Sequence, residues 1–251
     1  MRSRREARIP YIQPAMSDKP ANPILCAIDL ADPAKARNLV RELKGAVGGI
    51  KLGLEFFTAN GPRAVRDVAQ GLPLFLDLKL HDIPNTVSGA VKAAAALEPT
   101  FLTVHCSGGR AMMQAAAEAA KQAARKTRMK LLGVTVLTSL DERDLEAVGQ
   151  KGPTSEQVKR LAALAKESGL DGIVCSPHEV AELRQIVGPD FLLVVPGIRV
   201  GSLGHGDQKR VMGPRDAVQA GADYLVIGRP ITGSPSPPAA ARAMLAEIRK
   251  P

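Results

Sequence analysis

Asp77 and Lys79 stand two residues apart inside the apolar run Leu74-Phe75-Leu76-Asp77-Leu78-Lys79-Leu80. On a β-strand that spacing puts both on one face and Leu76, Leu78 and Leu80 on the other. Lys51 lies in a second apolar run, Asp29 closes an earlier one, and Asp82 follows shortly after Lys79. Charges in such surroundings are costly unless they pair. An alternating Lys–Asp–Lys–Asp array there would hold its members ionised. A fixed ammonium of this kind can stabilise negative charge developing on a substrate and then give it a proton. The competing reading is an ion-pair network that only fills the interior, an unfavourable use of so many buried charges.

Two later segments suggest a phosphate site. One runs from Pro196, Gly197 and Arg199 through Gly201, Gly204 and Gly206 to Gln208, and the other is Gly228-Arg229. Glycines let backbone N–H groups approach an anion, and an arginine can grip it with two bonds. The stretch 199–209 reads as a mobile lid, with an ordinary glycine-rich loop as the plainer alternative. His81 and His105 lie near strand ends and read as hydrogen-bonded structural residues rather than metal ligands. His178 and His205 read as solvated, and no metal site is expected.

Eight apolar runs of strand length must position these groups: 24–29, 48–52, 74–79, 101–106, 130–137, 172–175, 191–196 and 224–228. Most are continuously hydrophobic, as parallel strands buried on both faces require. Helical patterns alternate with them. Asp32-Pro33 is an N-cap followed by a proline at the first helical position. Thr154-Ser155-Glu156-Gln157 fits a capping box, with Val158, Leu161, Ala162 and Ala165 then sharing a face. Residues 176–179 combine a capping and a proline signal, and 111–126 is alanine-rich and helix-prone. This order predicts an α/β fold, a single (β/α)8 TIM barrel. Asp29, Lys51, Asp77, Lys79, Thr138, Ser139, Arg199 and Arg229 then fall at the C-terminal strand ends, where barrel active sites gather. An open doubly wound sheet is the alternative, but it calls for a glycine-rich turn after the first strand, and 28–32 contains no glycine.

The chain's 251 residues suit one barrel domain of about 250 residues. Three cysteines, an odd number without a CxxC pair, argue against a disulfide framework or zinc site and for a reducing cytoplasm. No run of about 18 uncharged apolar residues offers a membrane span. The net charge of +9 raises the question of nucleic acid, but there is no Trp and only 3% of residues are aromatic, leaving few stacking platforms. A basic surface attracting anionic metabolites is the simpler reading. Part of the excess is local: Arg2, Arg4, Arg5 and Arg8 face only Glu6 in residues 1–15. Residues 1–22, with three prolines and no apolar period, read as a disordered basic arm, with Met16 as an alternative start. The barrel domain is then 23–251.

The segment LFLDLKLHDIPNTV at 74–87 resembles the signature of the orotidine 5′-phosphate decarboxylase family, in its short bacterial form. AID at 27–29, IKLG at 50–53, LTS at 137–139, PGIR at 196–199, DQKR at 207–210 and IGRPI at 227–231 resemble further family motifs, in family order. The resemblance implies decarboxylation of orotidine 5′-monophosphate to UMP and CO2, the last step of UMP synthesis, without a cofactor. It makes Lys79 the proton donor to pyrimidine C6 and places Asp77 beside the substrate carboxylate, with Lys51 and Asp82 completing the array. Asp29 and Lys51 correspond to ribose contacts, Thr138 and Ser139 to base contacts, and Pro196, Arg199, Gln208, Gly228 and Arg229 to base and phosphate contacts near the lid. It further implies a homodimer in which Asp82, Ile83 and Thr86 complete the partner's site. A magnesium-dependent sugar-phosphate decarboxylase or aldolase would share Asp77, Lys79 and Asp82. A nucleic-acid-binding barrel would show steeply salt-dependent duplex binding.

Overall fold

A computed structural model describes residues 20–123, 129–199 and 212–250. The basic arm up to residue 19, His205, Gln208 and the glycine-rich stretch after Arg199 therefore lie outside the described residues. Eight parallel strands close into a barrel in sequence order. They are β1 (Ile24–Ala27), β2 (Gly49–Gly53), β3 (Leu74–Leu80), β4 (Phe101–His105), β5 (Lys130–Val134), β6 (Gly172–Val174), β7 (Leu192–Val195) and β8 (Tyr224–Ile227). Around them lie α1 (Pro33–Leu43), α2 (Leu54–Ala69), α3 (Pro84–Ala95), α4 (Gly109–Ala123), α5 (Glu142–Ala147), α6 (Thr154–Glu167), α7 (Val180–Val187), α8 (Pro214–Gln219), α9 (Arg229–Thr232) and α10 (Pro237–Ile248). The chain is a (β/α)8 barrel, and each expected apolar run coincides with one of the strands to within a few residues at its ends.

Strand alternation divides the core in two. Ile24, Cys26 and Ile28 face the helices, as do Ile50, Leu52 and Leu76. Leu25, Ala27, Phe75, Phe101, Leu132, Val194 and Val226 fill the barrel interior. Phe101 packs edge-on against Phe75 at 6.0 Å and Tyr224 at 4.9 Å. This apolar plug seals the interior low down, so that polar side chains gather at the C-terminal rim.

Side chains pin the strand starts at the opposite end. Asn22 accepts the Ile24 N–H at 3.1 Å, and Asp171 accepts the Leu131 N–H at 2.8 Å. Asp223 accepts the buried Leu193 N–H at 2.7 Å and pairs with Arg184 at 2.6 Å. Arg184 also donates to the carbonyls of Gly188 at 2.6 Å, Phe191 at 2.8 Å and Gly221 at 2.8 Å. One guanidinium thus fastens α7 to the starts of β7 and β8.

The helix starts follow the sequence signals unevenly. Asp32 caps α1, accepting the N–H groups of Ala34 at 2.8 Å and Lys35 at 3.2 Å. The capping box expected at 154–157 does not form. Pro153 occupies the cap position and Thr154 is already helical, so its hydroxyl is buried without a hydrogen-bond partner. Residues 177–179 form a 3₁₀ turn before α7, in which Glu179 accepts the Ser176 N–H at 2.8 Å.

Replacing Asp223 by Ala strands the Leu193 N–H and unpairs Arg184, both well inside the fold. Stability is expected to fall by about 3 kcal/mol, read as a lowered urea midpoint with unchanged slope. An unaltered midpoint would show that this cluster does not hold the strand starts.

Candidate active site

The rim carries a cavity of about 570 Å³. Ala27, Phe75, Val174 and Val226 contribute its apolar base, continuous with the interior plug. One wall is charged. Lys79 Nζ lies 2.8 Å from Asp77 Oδ2, Lys51 Nζ lies 3.9 Å from the same oxygen, and Lys51 Nζ lies 3.3 Å from Asp29 Oδ1. The lysines and Asp77 are largely enclosed, with side chains 13% exposed for Lys51 and Asp77 and 30% for Lys79, whereas Asp29 is 62% exposed. The charged line therefore runs from solvent inward, across β1, β2 and β3.

Asp77 and Lys79 reach the cavity together, but not by regular alternation. The β3–β4 register is regular through Leu76↔Leu102, then shifts so that Leu80 pairs with Val104. Lys79 takes a left-handed backbone conformation with φ of 48°. This is uncommon for a residue with a side chain and must be held by its surroundings. Leu76 is fully buried, while Leu78 and Leu80 are only partly so.

Thr103 fills the irregularity. Its hydroxyl accepts the Lys79 N–H at 2.9 Å and donates to Asp77 Oδ1 at 2.9 Å. It is completely buried. Sequence reading missed it, although the signal was present: Thr103 is the polar residue in an otherwise apolar 101–104 run, two positions before His105 and hence on the same strand face.

The rest of the lining offers hydrogen-bonding and cationic groups. Thr138 and Ser139 follow β5, Pro196, Gly197 and Arg199 follow β7, and Gly228 and Arg229 follow β8; all line the cavity. Gly197 has φ of 79°, a conformation that favours glycine. Arg199 is set in place by its own N–H, which donates to the Met212 carbonyl at 3.0 Å. Beside the charged wall, His105 stacks on His81 with ring centres 5.3 Å apart. Burial pushes its pKa down, reinforced by His81 and Lys79, while its Nδ1 accepts the Ser107 N–H at 3.3 Å. Burial pushes the Cys26 and Cys106 thiols up to about 12, so neither is a nucleophile at neutral pH.

Of the residues expected at the site, Asp29, Lys51, Asp77, Lys79, Thr138, Ser139, Pro196, Arg199, Gly228 and Arg229 converge on this cavity. Asp82, Ile83 and Thr86 do not line it. They are exposed on the turn into α3 and its first turn, where Asp82 accepts the Ile83 N–H at 2.6 Å. Ile83 is 66% exposed.

Comparison with known proteins identifies the family. The profile of the "Orotidine 5'-phosphate decarboxylase / HUMPS family" matches residues 22–244. A Paramagnetospirillum magneticum protein named orotidine 5′-phosphate decarboxylase is 52% identical over 231 residues, covering 90% of this chain and 98% of its own. One of the same name from Rhodospirillum rubrum is 52% identical over 238 residues, covering 93% of this chain and 96% of its own. The crystal structure of orotidine 5′-phosphate decarboxylase from Lactobacillus acidophilus superposes with a TM-score of 0.82 at 38% identity, over 91% of this chain and 100% of that one. With a match spanning nearly the whole barrel, the chain belongs to the orotidine 5′-phosphate decarboxylase / HUMPS family.

Proposed function

We propose that this barrel decarboxylates orotidine 5′-monophosphate to UMP and CO2, closing de novo pyrimidine synthesis in the cytoplasm. The observation that carries the reading is the Lys79–Asp77 pair at 2.8 Å on the wall of a cavity that Arg229 also lines. Loss of CO2 from C6 leaves an electron pair in an sp2 orbital that the ring cannot delocalise. Lys79 meets that need directly. Its ammonium stabilises the developing carbanion and then protonates C6. Asp77, next to the departing carboxylate, aims the ammonium, and Lys51 balances the second charge. No electron-sink cofactor enters this scheme.

Arg229 and Gly228 receive the phosphate, Thr138 and Ser139 the base, and Asp29 with Lys51 the ribose hydroxyls. Binding energy gathered at the phosphate, remote from C6, is then expressed in the transition state. Asp82, Ile83 and Thr86 face outward from their own cavity. In this reading they dock on a second copy and complete its site, and the exposed Ile83 supplies an apolar contact for that homodimer.

The decisive assay follows the ultraviolet band of orotidine 5′-monophosphate with purified protein in excess EDTA. Turnover to UMP is expected, and Lys79→Ala should lower kcat by at least about 10³-fold while still binding UMP. Absence of turnover in the wild-type protein, restored by magnesium with a keto sugar phosphate, would replace the proposal with the metal-dependent alternative. Separately, Arg229→Ala should raise KM for the nucleotide roughly 10- to 100-fold, the scale of lost charge-assisted hydrogen bonds. It should leave the phosphate-free nucleoside little changed. Equal effects on both substrates would remove Arg229 as the phosphate contact.

A further inference from the structure

Thr103 does not line the cavity, yet it touches both members of the pair on which the proposed chemistry rests. Across the irregular stretch of β3, the residues Asp77, Leu78 and Lys79 stand against Thr103 alone, because the flanking pairs are Leu76↔Leu102 and Leu80↔Val104. A regular strand would offer the Lys79 N–H a carbonyl of β4. Here the threonine hydroxyl accepts it at 2.9 Å. That bond clamps the backbone of Lys79 at its φ of 48°.

The same oxygen carries one proton and two lone pairs, so it can donate while it accepts. Its proton goes to Asp77 Oδ1 at 2.9 Å. With Oδ1 pinned, Oδ2 is turned toward Lys79 Nζ at 2.8 Å and Lys51 Nζ at 3.9 Å. One hydroxyl therefore sets the backbone from which the lysine projects and the rotation of the carboxylate that aims it. Its complete burial leaves no solvent to take over either bond. Thr103 is itself held rigidly, because it lies within β4 and pairs in register with Leu132 of β5.

We infer that Thr103 is a positioning residue that places the Lys79 ammonium by clamping the irregular turn of β3 and orienting Asp77. The inference rests on the reading of Lys79 as the proton donor. A side chain that only fills space makes the opposite prediction, since valine has nearly the shape of threonine without its hydroxyl.

The test compares Thr103→Val, Thr103→Ala and Thr103→Ser in the full-length chain. Displacing a reacting group by about 1 Å costs on the order of 10²-fold. Thr103→Val should therefore lose about 10²-fold in kcat, with KM and the Kd for UMP held within about threefold, because the lost contacts lie off the binding surface. Thr103→Ser, which keeps the hydroxyl, should retain kcat within about fivefold. If the valine variant does not fold, the contrast between alanine and serine reads the same hydroxyl. Crystals of the valine or alanine variant should show Lys79 relaxed out of the left-handed region and its ammonium withdrawn from Asp77 Oδ2.

Near-normal kcat in a hydroxyl-free variant, or a serine variant as impaired as the alanine one, would overturn the inference. So would an unmoved Lys79 in the crystals. Failure of the wild-type protein to turn over orotidine 5′-monophosphate would instead sink the functional reading, and the crystallographic arm would still decide whether Thr103 places the lysine.

Discussion

The Asp77 carboxylate is the junction on which the site depends. Oδ2 faces two ammonium groups and Oδ1 accepts the hydroxyl of Thr103. A carboxylate taken this far out of water is tolerable only when its oxygens are occupied, and here they are. The same occupancy removes its rotational freedom. The lysines in turn are fixed by a charge that cannot turn away from them, so the orienting work is done before a ligand arrives. Preorganisation of this kind is the main way a protein dipole or charge outperforms water.

The barrel makes such a junction tolerable by separating its two ends. At the N-terminal rim, Asn22, Asp171, Asp223 and Arg184 spend their hydrogen bonds on strand starts and loop carbonyls. In the middle, Phe75, Phe101 and Tyr224 lock the interior with edge-on contacts. At the C-terminal rim β3 breaks register, Lys79 enters the left-handed region and Gly197 takes φ of 79°.

The barrel was legible because its strands are buried on both faces and so read as continuous apolar runs, each interrupted by the helix that covers it. Asp77 and Lys79 were legible because charge inside such a run has no packing explanation. The reason they point together was only half legible. Alternation placed them on one face, but the register shift and the conformation of Lys79 depend on β4, which is distant in sequence. Thr103 was overlooked for the same reason: a threonine in a strand has good β propensity and draws no attention until its neighbours across the sheet are known. The capping box at 154–157 failed through a one-residue offset. Local patterns identify helix starts more reliably than the residue that caps them. Asp82 was placed in the charge array by resemblance, and within one chain its carboxylate instead serves the Ile83 N–H.

The links of the charged line differ in how they are carried. Lys79 and Asp77 belong to one strand and meet at 2.8 Å, whereas Lys51 reaches Asp77 at 3.9 Å and Asp29 at 3.3 Å from a neighbouring strand. When the barrel rim breathes, strands slide and splay relative to one another far more readily than a single strand changes its own length. Elastic distortion is therefore taken up in the joints between strands, and the lysine–aspartate pair travels as one rigid part. The spacing of the pair is thus set within β3 and by its tie to Thr103 of β4, while relative motion of β1, β2 and β3 falls on the longer links through Lys51.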